Sequence, residues 1–435
     1  MTSSALYTDH YELTMVEAAM ASGTASRRSI FELFPRRLPS GRRYGVVAGV
    51  GRAMQLLRDF RFGDEELAFL RDHQVVSPAV LDWLADYRFS GDIWGYPEGE
   101  IYFPGSPLMI VEGSFAEACI LETAMLSVYN YDAAVASAAS RMTLMAGDRP
   151  CIEMGARRAN EEAAVAAARA AYIAGFVSTS NLEAGRRFGI PTAGTAAHSF
   201  TLLHDSEREA FEAQLTVQGK GTILLVDTYS IEEAVRTAVD LAGPELGAVR
   251  IDSGDLAITA RDVRDQLDAL GATRTRIIVT SDLDEWQIGA LSAAPVDGYG
   301  VGTNLVIGSG HPTCGFVYKL VARAASSDPD AELVPVAKLS ANKATVGGRK
   351  YAMRRYDNDG IAEAEVIGVG VQPQGDQNDR PLLHRLVAEG EIVWQDDLAA
   401  ARERHRAGLA ELPRAARKMS QGDPVIPTLY ESDYA

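Results

Sequence analysis

Cysteine is scarce in this chain of 435 residues, which contains three: Cys119, Cys151 and Cys314. An odd number of widely separated cysteines supplies neither a disulfide framework nor a Cys-rich zinc site, and it suits a reducing compartment. We therefore expect all three to be thiols buried in the core.

Long apolar runs and excess positive charge are also missing. No stretch approaches the roughly 20 apolar residues that a membrane helix requires, and no basic residue precedes the short apolar block near the N-terminus, so a secretory signal is not indicated. The formal charge of −17 at pH 7 would repel nucleic acid and anionic lipid. These absences predict a soluble, cytoplasmic protein with no nucleic acid or membrane partner. Any anionic ligand must be held by a local set of Arg, Lys or backbone N–H groups.

The chain is large enough for two or three domains, and 47% of its residues are hydrophobic. From residue 1 to about 115 the pattern predicts a mixed α/β domain, with a helix that starts after Asp9 and a strand from Ser29 to Phe34. From 326 to 435 it predicts a β-rich C-terminal segment, which contains a hairpin turn at 356–360 and packs on the first domain.

The segment from 116 to 325 alternates short apolar runs with helical patterns, which predicts βα units around a parallel sheet. The apolar runs are 150–154, 176–178, 222–226, 248–251, 276–280 and 296–301. A cluster of polar residues follows each run. Because the clusters recur after nearly every strand, we favour an α/β barrel, with its site at the C-terminal strand ends, over an open doubly wound sheet.

One histidine stands at such a predicted strand end, in the run Gly194-Thr195-Ala196-Ala197-His198. An isolated histidine is ordinarily a surface or capping residue. Here the small residues before it would let the backbone approach a ligand closely, and a neutral imidazole can serve as nucleophile or proton carrier. His198 is therefore our first candidate for chemistry.

One cation and two carboxylates lie around the turn that follows the predicted strand ending at Ile251. Arg250 lies within an apolar strand, where a guanidinium requires a partner, and a substrate carboxylate would be one. Asp252 could hold magnesium-bound ligand oxygens or stabilise positive charge that develops on a sugar. Ser253 and Asp255 could simply cap the helix that follows.

Two further segments could bind phosphate. The stretch Gly298–Asn304 is rich in glycine, which alone is a weak signal, but after a late barrel strand it can present backbone N–H groups and the Thr303 hydroxyl. Arg157 and Arg158 are adjacent, and a solvated face is the usual role of such a pair. We expect one of them to face the ligands and the other to be structural.

Taken together, these segments resemble the nicotinate phosphoribosyltransferase family over essentially the whole chain. The motifs that carry the resemblance are Thr8–Met15, Phe31–Phe34, Glu153–Gly155 with Arg157-Arg158, Gly194-Thr195 with Ala197–Ser199, Asp227–Tyr229, Arg250 with Asp252–Asp255, Gly300–Thr303 and Val317–Leu320. The resemblance implies an irregular type II phosphoribosyltransferase α/β barrel, flanked by an N-terminal α/β domain and a β-rich C-terminal segment and assembled as a homodimer with shared active sites.

The resemblance also implies the reaction. Members convert nicotinate and 5-phosphoribosyl diphosphate into nicotinate mononucleotide and diphosphate, coupled to ATP hydrolysis with Mg²⁺, as the first step of NAD salvage from nicotinate. His198 would be phosphorylated by ATP, and Asp252 would lie near the ribose or the magnesium. The remaining implied contacts are Tyr11, Thr195 and Arg250 for nicotinate, Gly302, Thr303 and Arg157 for phosphoribosyl diphosphate, and Lys343 as a contact across the dimer.

Ala196 bears on the choice of substrate. Nicotinamide-using relatives carry an Asp directly after the Gly-Thr pair, and a carboxylate at that position would repel nicotinate, so Ala196 favours the acid. Two alternatives stay open: a phosphoribosyltransferase for nicotinamide or quinolinate, and a catalytically silent relative that binds nicotinate or a nucleotide as a sensor.

Overall fold

The computed structural model describes residues 3–328, 330–338 and 345–432. By its internal contacts the chain divides into two units. The first contains the described residues up to Ala134 and from Thr313 onward, and the second is Val135–Pro312. The boundaries near 115 and 325 stay predictions, and Lys343 lies outside the described residues.

The α-helices of the described chain are α1 (His10–Ala21), α2 (Val50–Arg58), α3 (Asp64–Asp72), α4 (Pro78–Ala85), α5 (Phe115–Cys119), α6 (Glu122–Ala146), α7 (Glu161–Ile173), α8 (Leu182–Phe188), α9 (His198–Leu203), α10 (Glu207–Gln218), α11 (Ile231–Ala242), α12 (Leu256–Ala269), α13 (Glu285–Ala290), α14 (Thr303–Val306) and α15 (Leu398–Ala410). In none of the described segments is a helix long and apolar enough to cross a membrane.

The strands are β1 (Arg28–Pro35), β2 (Gly45–Val46), β3 (Asp92–Gly95), β4 (Ile101–Tyr102), β5 (Met109–Ser114), β6 (Cys151–Glu153), β7 (Ser178–Thr179), β8 (Ile223–Leu225), β9 (Ala248–Ile251), β10 (Arg276–Ser281), β11 (Gly298–Val301), β12 (Phe316–Ala324), β13 (Leu333–Pro335), β14 (Lys350–Tyr356), β15 (Ala362–Val369), β16 (Arg380–Pro381), β17 (His384–Ala388), β18 (Glu391–Ile392) and β19 (Thr428–Ser432).

The second unit is built on one parallel sheet of six strands, in the order β7-β6-β11-β10-β9-β8. All six predicted apolar runs contribute a strand to it. The sheet curls as a half-barrel, and helices such as α11 bury one stripe of side chains that includes Val235 and Val239. Ser230 caps the N-terminus of α11 by accepting from the N–H of Glu233. The irregular α/β barrel expected from the sequence is confirmed in this form.

The first unit contains an antiparallel sheet of seven strands, in the order β13-β12-β1-β5-β3-β17-β18. β1 lies near its centre, where Phe31 stacks on Tyr318 of β12 with 5.0 Å between ring centroids. A second sheet, β16-β14-β15-β19, contains the predicted hairpin, because β14 and β15 are joined by the turn 357–361. The mixed N-terminal domain and the β-rich C-terminal region are therefore both present.

A buried charge cluster lies in the first unit. Arg354 is fully buried and donates to Glu365 at 2.8 Å, while Arg380 donates to Glu100 at 2.6 Å. Burial alone would raise the pKa of Glu100, but Arg354 and Arg380 together lower it. Burial raises the pKa of Glu365 despite its arginine partner. The three cysteines are free and buried, as expected.

Candidate active site

A cavity of about 480 Å³ opens at the C-terminal ends of the parallel strands in the second unit. Its lining comes from the ends of β6, β7, β9, β10 and β11 and from the segment 193–197. Parallel strands present their carboxyl ends at one edge of a sheet, so residues far apart in sequence meet there. Of the predicted site residues, Thr195, Arg250, Asp252, Arg157, Gly302 and Thr303 all line it.

Arg250 projects from β9 toward the segment that precedes His198. Its Nη1 donates to the hydroxyl of Thr195 at 2.5 Å, whereas its buried Nε finds no hydrogen-bond partner among the described residues. Burial lowers the pKa of Arg250, nearby Asp252 and Asp227 oppose that shift, and Arg157 adds to it. A half-buried guanidinium with an unused, buried Nε donor is suited to receive an anion, and the carboxylate of a pyridine acid would match it.

Two carboxylates face the imidazole of His198. Its Nε2 lies 3.8 Å from Asp227 Oδ1 and 3.8 Å from Asp252 Oδ2, and its Nδ1 lies 3.1 Å from the hydroxyl of Thr228. The His198 side chain is 41% exposed, so a ligand can reach it. The carboxylates would stabilise an imidazolium, and a phosphoryl group would find an accessible ring nitrogen.

The loop after β9 is held rigidly. Oδ2 of Asp227 accepts from the backbone N–H of Asp252 at 2.8 Å and from the hydroxyl of Ser253 at 2.7 Å. The Thr280 hydroxyl donates to Oδ1 of Asp252, the carboxylate oxygen other than the one that faces His198. Gly254 adopts a φ of +83°, which favours glycine, and Asp255 caps α12 by accepting from the N–H of Ile258. These contacts orient the Asp252 carboxylate toward the cavity.

The end of β11 and the loop after it form another part of the cavity lining. At Gly300 an added Cβ would lie 2.4 Å from Thr280 Cγ2, so only glycine lets these two strand ends approach closely. Gly302 and Thr303 stand at the start of α14, and both line the cavity. Arg157 and Arg158 both line the cavity and are exposed, although the sequence suggested that only one would face it.

Glu153 ends β6 directly before Met154, which lines the cavity. Its carboxylate is fully buried and accepts from the hydroxyl of Thr179 and the backbone N–H of Gly155. Burial raises its pKa, an effect that these two donors oppose. Glu153 therefore joins the ends of β6 and β7.

Tyr11 belongs to the first unit, on α1. Its side chain is 43% exposed. Burial of part of the ring raises its pKa, and the carboxylates of Glu122 and Glu12 add to that shift. Its role as a residue that stacks on the pyridine ring stays a prediction.

Asp227 and Thr228 belong to a polar cluster and to a family motif, but the sequence alone does not identify them as site residues. The side chain of Asp227 is only 1% exposed, and its Oδ1 makes no hydrogen bond to any described residue. The one feature of the sequence that could have pointed to Asp227 is its position as an acidic residue after the apolar run that forms β8. A residue at that place could equally have capped α11, which Ser230 does instead.

Glu207, the first residue of α10, is a further acidic group of this unit. Burial raises its pKa to about 7, and the nearby carboxylates of Glu233 and Asp227 add to the shift. One of its carboxylate oxygens is buried without a hydrogen-bond partner in the described structure. The carboxyl group therefore titrates close to neutral pH.

The fold and its likeness to a solved structure define the class of protein first: an α/β fold of the phosphoribosyltransferase barrel type, with an arginine-lined cleft at its strand ends. The crystal structure of human nicotinic acid phosphoribosyltransferase superposes on the chain with a TM-score of 0.84 at 27% identity, and the match covers 98% of this chain and 97% of the human chain.

Sequence comparisons then give the particular family. A family model described as the nicotinate phosphoribosyltransferase N-terminal domain matches residues 6–130. Nicotinate phosphoribosyltransferase pncB1 of Mycobacterium tuberculosis is 53% identical over 432 residues, which cover 97% of this chain and 94% of the relative. Nicotinate phosphoribosyltransferase of Bacillus subtilis is 37% identical, with 88% and 79% covered. The chain belongs to the nicotinate phosphoribosyltransferase family.

Proposed function

We propose that this chain is an ATP-dependent nicotinate phosphoribosyltransferase that carries out the first step of NAD salvage from nicotinate. The observation that carries the proposal is the position of His198, exposed between Asp227 and Asp252 beside an anion-binding cavity. Family membership supports the transfer reaction. The paired carboxylates support the phosphohistidine.

In the transfer step, the pyridine nitrogen of nicotinate forms a bond to C1′ of the sugar as the bond from C1′ to the diphosphate oxygen breaks. Arg250 and Thr195 hold the nicotinate carboxylate, with Tyr11 stacked on the ring. Gly302, Thr303 and Arg157 hold the phosphate groups. Because departure of diphosphate leaves a cation-like ribose, the Asp252 carboxylate stabilises that positive charge.

In the coupling step, a ring nitrogen of His198 attacks the γ-phosphorus of ATP, and ADP leaves. Water later hydrolyses the phosphohistidine to free histidine and inorganic phosphate. Asp227 and Asp252 compensate the positive charge of the imidazole ring during attack, and Thr228 orients the ring through its Nδ1 contact. The phosphoenzyme favours glycosyl transfer.

Magnesium enters this scheme with the substrates. In the described ranges no group of three or more His, Cys, Asp or Glu side chains is arranged to hold a metal ion. Mg²⁺ commonly keeps several waters and binds through substrate phosphates with one or two carboxylates. We therefore treat it as part of Mg-ATP and of the magnesium complex of phosphoribosyl diphosphate, and we assign it no protein ligand.

We propose a cytoplasmic homodimer with shared active sites, to which the exposed Tyr11 on α1 contributes its ring. Three free cysteines agree with a reducing compartment. Sedimentation equilibrium of the purified chain measures its molar mass in solution, which should be twice that of one chain.

A labelling experiment tests the reaction. The chain mixed with nicotinate, phosphoribosyl diphosphate and Mg-ATP should form nicotinate mononucleotide, and γ-labelled ATP should give acid-labile protein phosphate. His198→Asn should abolish the label and leave slow, uncoupled transfer. The matched control is His204→Asn, because His204 directly follows the same helix and its side chain hydrogen-bonds, among the described residues, only to the Phe200 carbonyl. Undiminished labelling of His198→Asn would place the phosphate elsewhere, and a folded chain without product would refute the activity.

Parallel assays with nicotinate, nicotinamide and quinolinate distinguish the alternative substrates. Ala196 lines the cavity with a methyl group, which favours the nicotinate acid over nicotinamide, while quinolinate would need another convergent cation for its second carboxylate. Turnover with nicotinamide or quinolinate in preference to nicotinate would overturn the substrate assignment. Ligand binding without turnover would indicate a sensor.

A further inference from the structure

A groove of about 360 Å³ lies in the first unit and has no part in the proposed reaction. Its apolar surface comes from Met15 and Ala19 of α1, from Phe115, and from Leu320 of β12. Two arginines, Arg27 and Arg323, complete it, and the rest of the lining is alanine and small hydroxyl residues. We call this the Arg27 groove.

The register of the sheet places the two arginines at one end of the groove. Arg27 directly precedes β1, and Arg323 is the cross-strand partner of Ser29. Phe115 is held against them because its backbone N–H donates to the Arg27 carbonyl at 2.9 Å. Leu320 is paired with Phe31 further along the same two strands. The groove therefore has a charged end and an apolar floor.

The guanidinium of Arg27 lacks a partner. Its Nε is buried without a hydrogen bond, and no other nitrogen of the side chain donates to a described residue. Arg323 makes a single hydrogen bond in the described structure, from Nη1 to the carbonyl of Ala324 at 3.2 Å. A buried donor without an acceptor is unfavourable, and an arginine fork matches a carboxylate.

The charge of the lining is unusual for this protein. The chain has 59 acidic and 42 basic residues, yet no Asp or Glu is among the described residues that line the groove. An inorganic anion would pair with the arginines but leave the apolar floor in contact with water. A ligand that satisfies both parts has an anionic head and an apolar body.

We propose that the Arg27 groove binds a monocarboxylate with an extended apolar body, whose head group is held by Arg27 and Arg323. The apolar chain lies along Met15, Phe115 and Leu320. The volume is near the lower end of the usual range for small-molecule sites, so the ligand is of medium chain length.

Sodium decanoate is a suitable probe, and Met15 is a suitable reporter because it is the one methionine among the described lining residues. In the full-length chain labelled with ¹³C-methyl methionine, decanoate should shift the Met15 methyl signal, assigned with Met15→Leu. Arg27→Gln and Arg323→Gln should each weaken binding about tenfold or more, the loss expected for a charge-assisted pair. Decan-1-ol, with the same apolar body, should bind about as weakly as decanoate binds the variants.

Arg28→Gln is the matched control. Arg28 is adjacent to Arg27 but exposed, does not line the groove, and donates to the Ala331 carbonyl. This variant should bind decanoate as the unmodified chain does. Three results would overturn the proposal: no shift of Met15 at millimolar decanoate, equal binding of decanol, or equal weakening by Arg28→Gln. Should Arg27→Gln fail to fold, Arg323→Gln provides the same test.

Discussion

Replacement of Glu207 by Gln should make the protein relatively more stable at alkaline pH. The folded state raises the pKa of this carboxyl from 4.5 to about 7, so the folded chain holds the proton more tightly than the unfolded chain. The stability associated with protonated Glu207 is fully present below pH 4.5 and is lost as the pH rises through about 7. Because Gln cannot ionise, the Glu207→Gln variant does not lose stability in this way as the pH rises.

The size of the effect follows from the shift. At 1.36 kcal/mol per pKa unit, a rise from 4.5 to about 7 would correspond to about 3.4 kcal/mol. Glu207 is only half-buried, so solvent screening reduces this to about 1 kcal/mol. We expect the stability difference, Glu207→Gln minus unmodified chain, to increase by about 1 kcal/mol between about pH 5 and about pH 8.

Urea unfolding at several pH values, followed by circular dichroism, measures this difference. Glu209→Gln is the control because Glu209 is exposed in the same first turn of α10, where loss of its charge has a similar effect on the helix dipole. The control should show a difference that changes little with pH. If the stability difference for Glu207→Gln does not change with pH, or changes equally for both variants, burial and the neighbouring carboxylates do not raise the pKa of Glu207.

Three further substitutions test other parts of the structure. Arg250→Lys keeps the charge but loses the planar fork, so the KM for nicotinate should rise about tenfold or more in steady-state assays, and an unchanged KM would contradict the carboxylate contact. Arg354→Met leaves the buried Glu365 without its ion-pair partner and should lower the free energy of unfolding by about 3–5 kcal/mol in urea, whereas unaltered stability would contradict that reasoning. Gly300→Ala places a Cβ 2.4 Å from Thr280 Cγ2 and should lower the free energy of unfolding by about 1–3 kcal/mol in urea. An unchanged free energy of unfolding would mean that the ends of β10 and β11 can move apart without cost.

Local patterns were enough to predict the strands of the second unit. Apolar runs separated by helical periodicity identified all six strands of its sheet, because strands buried on both faces of a parallel sheet read as continuous apolar segments. Bounds differed by a few residues where strands are short: β7 is 178–179 rather than 176–178. The hairpin between β14 and β15 was also predicted, since its turn carries Asp and Gly at the positions that require them.

The order of the strands and the depth of individual side chains could not be predicted in this way. The pairing of β11 with β6 joins residues about 150 positions apart, and no local pattern encodes such a contact. Asp227 shows the same limit for the site: an acidic residue after a strand is typical of a helix cap, and only the packed structure reveals that its side chain is 1% exposed beside His198. Arg250 was easier to identify because an arginine in an apolar strand is conspicuous in sequence.

The central position of β11 has a consequence for how the protein folds. β11 is the last strand of the parallel sheet in chain order, yet it lies between β6 and β10 and pairs with both. A nascent chain that has not yet emerged beyond β10 therefore lacks the strand that joins the two halves of the sheet. Contacts of such long sequence separation form slowly. The cleft can consequently be assembled only late in synthesis, and a chain truncated before Gly298 should retain exposed strand edges at which incomplete molecules associate.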